Sequence, residues 1–259
     1  MLAITFLGTG TSVGVPVILC GCPVCRSSDP RDQRYRSSIY VDTGDAAWVV
    51  DTGAEFRVQA IRAQLRRVDA VLYTHSHADH VMGFDDLRRF SVGNGDCMPV
   101  YAARETLSEL QRIFYYAFSG EARFPGYVHP EARTINGPFQ LGNTEIVPVR
   151  LEHGRAHVIG FVFRQESRPM VAYLSDCKRV FEPDLGLLDG VETLVLGTPC
   201  FKALPTHMSL AEGLAFAEFV RPRATWLTHL SHDFLHAEVE QELPANVRLA
   251  YDGLRLDLR

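Results

Sequence analysis

Four potential metal ligands lie within six consecutive positions of the sequence. They follow the apolar run Ala70–Tyr73 and are His75, His77, Asp79 and His80. Residues two positions apart in an extended chain project to the same side, so His75 and His77 can face one ion together. Imidazole and carboxylate groups suit zinc, manganese or iron. Burying four such groups without partners would be costly, so the segment predicts a metal centre.

Three further ligand types stand at the ends of apolar runs elsewhere in the chain. His153 follows Ile146–Leu151, Asp176 follows Val171–Leu174, and His229 follows Thr225–Leu227. Strand ends are where binding groups collect on a sheet scaffold, so these residues are expected to join the same centre. His157 is the alternative to His153, which is preferred because it comes first and Gly154 allows a tight turn.

Three cysteines are crowded into one short segment and predict a second metal site. Cys20, Cys22 and Cys25 can surround one tetrahedral zinc, with His232 as the fourth ligand, in a zinc-binding loop of about residues 18–36. A disulfide framework is not expected in a cytosolic chain of this size. A redox-active or merely buried thiol group is the alternative.

The elements that must position these residues are mostly short strands. Apolar runs of β type, bounded by Gly, Pro, Asp or Ser, recur along the chain. They are Ile4–Leu7, Ile39–Val41, Trp48–Val50, Ala70–Tyr73, Ile146–Val149, Phe161–Phe163, Val171–Leu174, Thr193–Leu196, Thr225–Leu227 and Val247–Ala250. Helical patterns cover Glu55–Arg67, Thr106–Ala117 and Ser209–Val220. Strands in consecutive groups favour an α+β fold of paired sheets with helices outside.

Length, composition and charge narrow the class of protein. The 259 residues, 46% hydrophobic and 22% charged, are expected to form a single domain, residues 1–259. A net charge of −5 without long runs of one sign gives no dedicated nucleic-acid or membrane surface. The segment Met1–Gly14 lacks the features of a signal peptide, and no apolar run is long enough to span a membrane, so a cytoplasmic protein is expected. A homodimer is possible because twofold dimers dominate soluble oligomers.

The segment Thr74–His80 resembles the HxHxDH signature of the metallo-β-lactamase superfamily, and the resemblance extends over nearly the whole chain. It implies a four-layer αββα sandwich with two divalent metals, manganese or zinc, in the active site. By the same resemblance, His75, His77 and His153 hold one metal, Asp79, His80 and His229 hold the other, and Asp176 bridges them. Asp51 is then expected to orient a histidine ligand, or otherwise to form a turn before Gly53.

The CxCxxC and HxxH motifs together resemble the PhnP-type phosphodiesterases of the carbon–phosphorus lyase pathway. That resemblance implies a structural zinc on the three cysteines and His232. It also implies hydrolysis of a small cyclic phosphodiester, of the phosphoribosyl 1,2-cyclic phosphate or 2′,3′-cyclic nucleotide type. His207 would act as general acid, with Asp176 and Asp79 also catalytic. An RNA-processing phosphodiesterase and a non-catalytic zinc-binding scaffold are the alternatives.

Two segments leave the exact substrate open. Leu196–Leu204 and Phe118–His129 do not match the sequence expected at those places in the family. The weakly periodic region of about residues 115–138 is interpreted as a lid or insertion, with an ordinary surface loop as the alternative. Arg34 and Arg36 follow the cysteine segment and can meet a phosphate, although arginines are usually just solvated.

Overall fold

Two β-sheets carry the site residues. The computed structural model describes residues 1–91, 97–119 and 126–258. In spatial order, the first sheet contains β15 (Arg255–Leu258), β1 (Leu2–Gly8), β2 (Ser38–Asp42), β3 (Ala47–Val50), β4 (Ala70–Leu72), β5 (Met98–Ala102) and β6 (Pro130–Thr134). The second contains β11 (Arg179–Val180), β8 (Thr144–His153), β9 (Ala156–Gln165), β10 (Arg168–Leu174), β12 (Thr193–Gly197), β13 (Ala224–Thr228) and β14 (Val247–Leu249), with β7 (Phe139–Leu141) also paired to β8.

Helices cover the outer faces of both sheets. They are α1 (Phe56–Arg62), α2 (Ala78–Val81), α3 (Arg88–Ser91), α4 (Arg104–Ile113), α5 (Tyr115–Phe118), α6 (Leu210–Val220) and α7 (His236–Glu242), with 3-10 turns at Pro30–Asp32, Phe84–Leu87 and Glu182–Leu188. The first sheet packs its outer face on α1, α4 and α5, and the second packs on α6 and α7. The predicted αββα sandwich is confirmed.

The central core lies between the sheets because their strands are apolar on the facing sides. Trp48 of β3 is fully buried and meets Phe163 of β9 edge to face, with ring centroids 5.6 Å apart. A further apolar layer lies between each sheet and the helices that cover its outer face. Both sheets are therefore fixed on both faces, which gives their strand ends little freedom to move.

Parallel pairing brings the carboxyl ends of several strands to one edge. In the first sheet β3, β4 and β5 run parallel. In the second, β10, β12, β13 and β14 run parallel. The two edges are joined near the site by a hydrogen bond from Ile159 N to Thr74 O, 3.1 Å long. Side chains that follow these strands are thus collected in one place.

Several element boundaries differ from the predictions for local reasons. Helix α1 ends at Arg62 rather than Arg67, because Gln64 adopts a left-handed conformation with φ 53°. The helix predicted from Thr106 begins at Arg104 and breaks at Phe114, whose φ of −109° and ψ of 40° are not helical. Strand β8 continues to His153, so this histidine is the last residue of the strand rather than a residue after it.

The prediction for Ser209–Val220 is confirmed. Ser209 accepts a hydrogen bond from Glu212 N, and the Glu212 carboxylate accepts one from Ser209 N, a capping box. The helix ends at Val220, and the next residue, Arg221, takes a left-handed conformation with φ 55° just before Pro222. The loop that precedes α6 and carries His207 is therefore anchored at its end.

Parts of the region interpreted as a lid pack against the first sheet or belong to it. Phe118 of α5 stacks on Phe84 with centroids 5.6 Å apart, and β6 forms an edge of the first sheet. Residues 120–125 of the predicted lid lie outside the described residues, so the lid stays a prediction there.

Candidate metal centre

The predicted ligands of the active site meet at the joined strand ends. His75 follows β4, His153 ends β8, Asp176 follows β10, and His229 follows β13. Asp79 and His80 lie on the single turn of α2, where His80 N bonds to His77 O and His80 O accepts from Thr52 N. Strand β12 ends beside them at Gly197, where a Cβ would overlap the backbone oxygen of Ser175.

Three histidines form one side of the cluster. One ring nitrogen from each of His75, His77 and His153 lies within 4.8 Å of the others. The ring centroid of His77 lies 4.4 Å from that of His75 and 5.4 Å from that of His153. The arrangement matches the set that the resemblance implies for one metal. His157, the alternative ligand, is exposed on β9 and is not among the residues whose ligand atoms come together in this group.

The other side of the cluster is built around Asp176. His80 Nε2 lies 3.2 Å from Asp79 Oδ2 and 3.3 Å from Asp176 Oδ2. His229 Nε2 lies 3.5 Å from Asp176 Oδ1. The grouping departs from the implied sets, because the ligand atoms that come within 4.8 Å of one another are those of His75, His80 and Asp176 and those of His153, Asp176 and His207, not those of Asp79, His80 and His229. Asp176 thus lies between the two halves, as a bridging ligand must.

In three of the histidines, a hydrogen bond at Nδ1 orients the ring so that Nε2 points to the cluster. His80 Nδ1 is 2.8 Å from Asp51 Oδ2, His229 Nδ1 is 3.1 Å from Ser37 Oγ, and His153 Nδ1 is 2.9 Å from Thr206 O. Such partners fix the tautomer and the direction of each ring. Sequence reasoning singled out Asp51 but missed Ser37 and Thr206, since neither has a motif that separates it from other polar residues.

Asp51 is held in an unusual backbone conformation. It follows β3 with φ 62°, a left-handed value, and is fully buried. Its carboxylate accepts hydrogen bonds of 2.8 Å from both Thr74 N and Thr74 Oγ1 in addition to its contact with His80. Strain of this kind persists where surrounding contacts over-determine a functional geometry. Asp51 therefore connects β3 to the loop that carries His75.

Buried polar atoms left without hydrogen bonds indicate where ions fit. Within the described chain, His75 Nε2, His80 Nε2 and Asp176 Oδ2 are buried and form no hydrogen bond. Unsatisfied buried groups of this chemistry, facing each other, are explained by bound cations. Burial, and then the nearby His80, lowers the pKa of His75, which keeps this ring neutral as a ligand must be. The donor set therefore fits two divalent metals.

His207 reaches the cluster from the loop before α6. Its ring lies 4.5 Å from that of His153 and stacks at 5.0 Å on that of His229, with Nδ1 4.0 Å from Asp176 Oδ1. Burial, and then the neighbouring His229, lowers the pKa of His207 to about 3. The ring is neutral in this state, and an anion bound beside it would favour the protonated form.

The three cysteines and His232 form the second site. His232 Nδ1 lies 3.2 Å from Cys20 Sγ, 3.5 Å from Cys22 Sγ and 3.7 Å from Cys25 Sγ. Tetrahedral zinc with bonds of about 2.0–2.3 Å would place its ligands about 3.5–3.8 Å apart. A hydrogen bond from Cys25 N lowers the pKa of Cys22 to about 6, which favours the thiolate that zinc requires. The four side chains therefore fit one structural zinc.

Neither arginine after the cysteine segment is free to meet a phosphate. Arg34 is buried, pairs with Asp32 at 3.0 Å, and donates to Ser231 O at 2.8 Å and Phe234 O at 2.7 Å. Arg36 donates to Ser12 O and pairs with Glu55. The phosphate interpretation is wrong for both, because their guanidinium groups are taken up by loop carbonyls and carboxylates that sequence spacing does not reveal.

The described helices also bear on membrane insertion. Among residues 1–91, 97–119 and 126–258, no helix is both long enough and apolar enough to cross a bilayer.

Comparison with known proteins places the chain in a family. A family model described as the beta-lactamase superfamily domain matches residues 41–230. The chain belongs to the metallo-β-lactamase superfamily. Within it the protein is of the PhnP type, since it is similar to a diphosphatase from the PhnP family, with a TM-score of 0.91, 35% identity, and 100% of this chain and 98% of that chain covered.

Curated relatives extend the comparison. An octanoyltransferase of Porphyromonas gingivalis is 33% identical over 258 residues, 96% of this chain and 50% of that protein. A ribonuclease Z of Bradyrhizobium diazoefficiens is 28% identical over 174 residues, 65% of this chain and 52% of that protein. The chain thus spans about half the length of the curated relatives it matches. The superfamily fold implies divalent metal binding, and the cluster around Asp176 fits it.

Proposed function

We propose that the chain is a metal-dependent phosphodiesterase that hydrolyses small cyclic phosphodiesters, of the phosphoribosyl 1,2-cyclic phosphate or 2′,3′-cyclic nucleotide type. The observation that carries the proposal is the position of His207, whose imidazole lies against the metal cluster next to His153 and His229. The likeness to a PhnP-family diphosphatase and to a ribonuclease Z supports chemistry at phosphorus.

Each group of the cluster has a separate task in this proposal. His75, His77 and His153 would hold one divalent metal, and Asp79, His80 and His229 the other, with Asp176 between them. When bound, two such metals lower the pKa of water and neutralise charge on a phosphate. The hydrogen bonds with Asp51, Ser37 and the Thr206 carbonyl fix the orientation of the histidine rings. The ligands therefore need little reorganisation when the substrate binds.

His207 would supply the proton that the leaving oxygen needs. The side chain is 14% exposed, enough to touch a bound substrate while its ring stays stacked on His229. The negative charge of a bound phosphodiester opposes the effect of burial, so protonation of His207 is coupled to binding. An alkoxide leaves poorly unless it is protonated, whereas p-nitrophenolate leaves without help. The contribution of His207 should therefore depend on the leaving group.

The test compares three diesters after zinc or manganese loading: bis(p-nitrophenyl) phosphate, a 2′,3′-cyclic nucleotide and a phosphoribosyl 1,2-cyclic phosphate. Replacing a general acid costs about 10²–10⁴-fold in rate, so His207→Ala should lose this much on the alkoxide leaving groups and far less on p-nitrophenolate. Asp176→Ala should be inactive on all three. Lys202→Ala, an exposed change in the same loop, is the matched control. The proposal fails if metal-loaded wild type cleaves none of the diesters.

A second candidate is an RNA-processing phosphodiesterase, favoured by the identity to ribonuclease Z. The net charge of −5 argues against a surface for a long polyanion. A precursor tRNA in the same assay separates the candidates, since efficient cleavage of the RNA and not of the cyclic compounds would favour the second.

A further inference from the structure

A cavity of about 450 Å³ lies between α1 on one side and the 3-10 turn Phe84–Leu87 with α3 on the other. None of the described residues that line it belongs to the active-site cluster or to the cysteine site. Its volume is within the range of small-molecule sites. The cavity is therefore a candidate site for a ligand other than the molecule that occupies the metal centre.

The lining of this cavity is largely apolar and is held firmly by the fold. Phe56, which begins α1, packs against Phe90 of α3 with ring centroids 6.3 Å apart. The backbone of Gly83 packs so closely that a Cβ at this position would lie 2.7 Å from the Cβ of Phe56. Ile61 of α1 lines the same cavity and is 61% exposed. The cavity is thus preformed, and an apolar ligand that covered Ile61 would remove apolar surface from water.

Three arginines share the cavity with these apolar side chains. Arg57 lies on α1, Arg66 in the segment that follows α1, and Arg89 on α3, and all three are exposed. Within the part of the chain that the structure describes, none of the three forms an ion pair, whereas Arg67, next to Arg66, does so. Asp86 is the one carboxylate of the described lining. The cavity therefore has an excess of positive charge in a chain whose net charge is −5.

We propose that this cavity binds a small amphipathic anion, a carboxylate joined to an apolar chain, with the carboxylate among the arginines and the chain on the apolar lining. A guanidinium presents paired donors that match the two oxygens of a carboxylate. The inference does not depend on the proposed phosphodiesterase function.

Two further features of the cavity favour this class of ligand over others. Gln64 is the one uncharged polar side chain among the described residues of the lining, so the polar groups of a nucleobase or a sugar would be left largely without partners. The net charge of −5 opposes the approach of the chain to an anionic membrane surface, which favours a free, monomeric ligand.

The test is calorimetric titration of the metal-loaded protein with decanoate, below the concentration at which it forms micelles. Wild type should bind decanoate at least about 10-fold more tightly than hexanoate, because each further buried methylene tightens binding about fourfold. The double variant Arg57→Gln, Arg89→Gln should weaken decanoate binding about 10-fold, and Ile61→Ala about fivefold. Arg62→Gln and Val58→Ala, exposed changes on the same helix but outside the cavity lining, are the matched controls and should bind as wild type does.

The same titrations can overturn the inference. Decanoate that binds equally well to wild type, the double arginine variant and Ile61→Ala would lie elsewhere, for instance with its carboxylate on the metals. Equal affinities for decanoate and hexanoate, or no binding of either, would show that the apolar lining holds no chain. Flotation with phosphatidylglycerol vesicles tests the other source of an amphipathic anion. Binding to these vesicles that depends on Arg57 and Arg89, without binding of free decanoate, would make the cavity a membrane contact and would also overturn the inference.

Discussion

His229 and His232 lie three residues apart on one loop and face two different clusters. His229 Nε2 is 3.5 Å from Asp176 Oδ1, and His232 Nδ1 is 3.2 Å from Cys20 Sγ. His229 itself has a left-handed backbone, φ 56°, which turns the chain between the two sites. Anything that holds His232 therefore also limits where the ring of His229 can lie.

Replacing His232 should remove one metal and disturb the other two only indirectly. We expect His232→Ala to lose about one equivalent of zinc, because a tetrahedral structural site needs all four of its ligands. Activity should fall as the loop that carries His229 loosens. Metal content by mass spectrometry checks the stoichiometry, with Asp233→Ala, an exposed neighbour, as control. An unchanged zinc content in His232→Ala would contradict the assignment of this site.

Asp51 provides a prediction for metal affinity. Asp51→Asn places an amide group where His80 Nδ1 and the Thr74 donors now meet a carboxylate, so His80 is no longer held by a charged partner. Loss of such a partner weakens metal binding or activity by about 10–100-fold. Competition with a chelator measures the change. Asp42→Asn, at the end of β2 and away from the cluster, should retain wild-type affinity.

The site could be predicted best where potential metal ligands stand at the ends of predicted strands. His75, His77, His153, Asp176 and His229 could be grouped because each follows or ends a β-type run. Parallel pairing places most of those ends together, and β8 reaches the same place because it and β10 are both antiparallel to β9. The partners of the ligands could not be predicted in this way. Contacts such as that of Ser37 with His229 join positions far apart in the chain. The sequence contains many other polar residues and does not indicate which of them will contact a ligand.

Some elements were missed because they lack the pattern on which prediction depends. Strand β6 is exposed along most of its length and β15 alternates between half-buried and exposed residues, so neither contains an apolar run. Arg34 illustrates the opposite error. An arginine near a predicted site suggests a phosphate contact, yet its burial against Asp32 and two loop carbonyls appears only when the loops are folded together.

The buried pair of Arg34 and Asp32 supports a stability prediction. Both side chains are almost wholly excluded from solvent, and Asp32 Oδ1 also accepts a hydrogen bond from His236 N at 2.9 Å. Arg34→Met leaves this carboxylate buried without its counter-charge, which should cost about 3–5 kcal/mol in the free energy of unfolding. Urea unfolding measures it. Arg31→Gln breaks a more exposed pair with Asp29 on the same loop and should cost much less; equal losses would show that the burial of Arg34 is not what matters.

Glu212 predicts a dependence of stability on pH. Hydrogen bonds from Lys178, then from Ser209, lower its pKa from 4.5 to about 2. The folded state therefore favours the ionised form, and this contribution is complete above pH 4.5 and is lost as the pH falls toward 2. Glu212→Gln should be less stable than wild type at pH 7, and the difference should shrink by pH 3. Thermal unfolding across this range checks it, with the exposed Glu218→Gln of the same helix as control. A difference that does not vary with pH would contradict the linkage.

The close approach of Gly197 to Ser175 constrains how this sequence can diverge. The carbonyl of Ser175, one residue before Asp176, occupies the space in which any side chain at position 197 would begin. A mutational scan should therefore place Gly197 among the least tolerant positions of the protein, alongside the histidines, although it has nothing with which to bind a metal. A larger residue at position 197 would require a shift of the backbone that carries Ser175 and Asp176. Substitutions at position 197 are therefore expected only together with changes in the segment around Ser175.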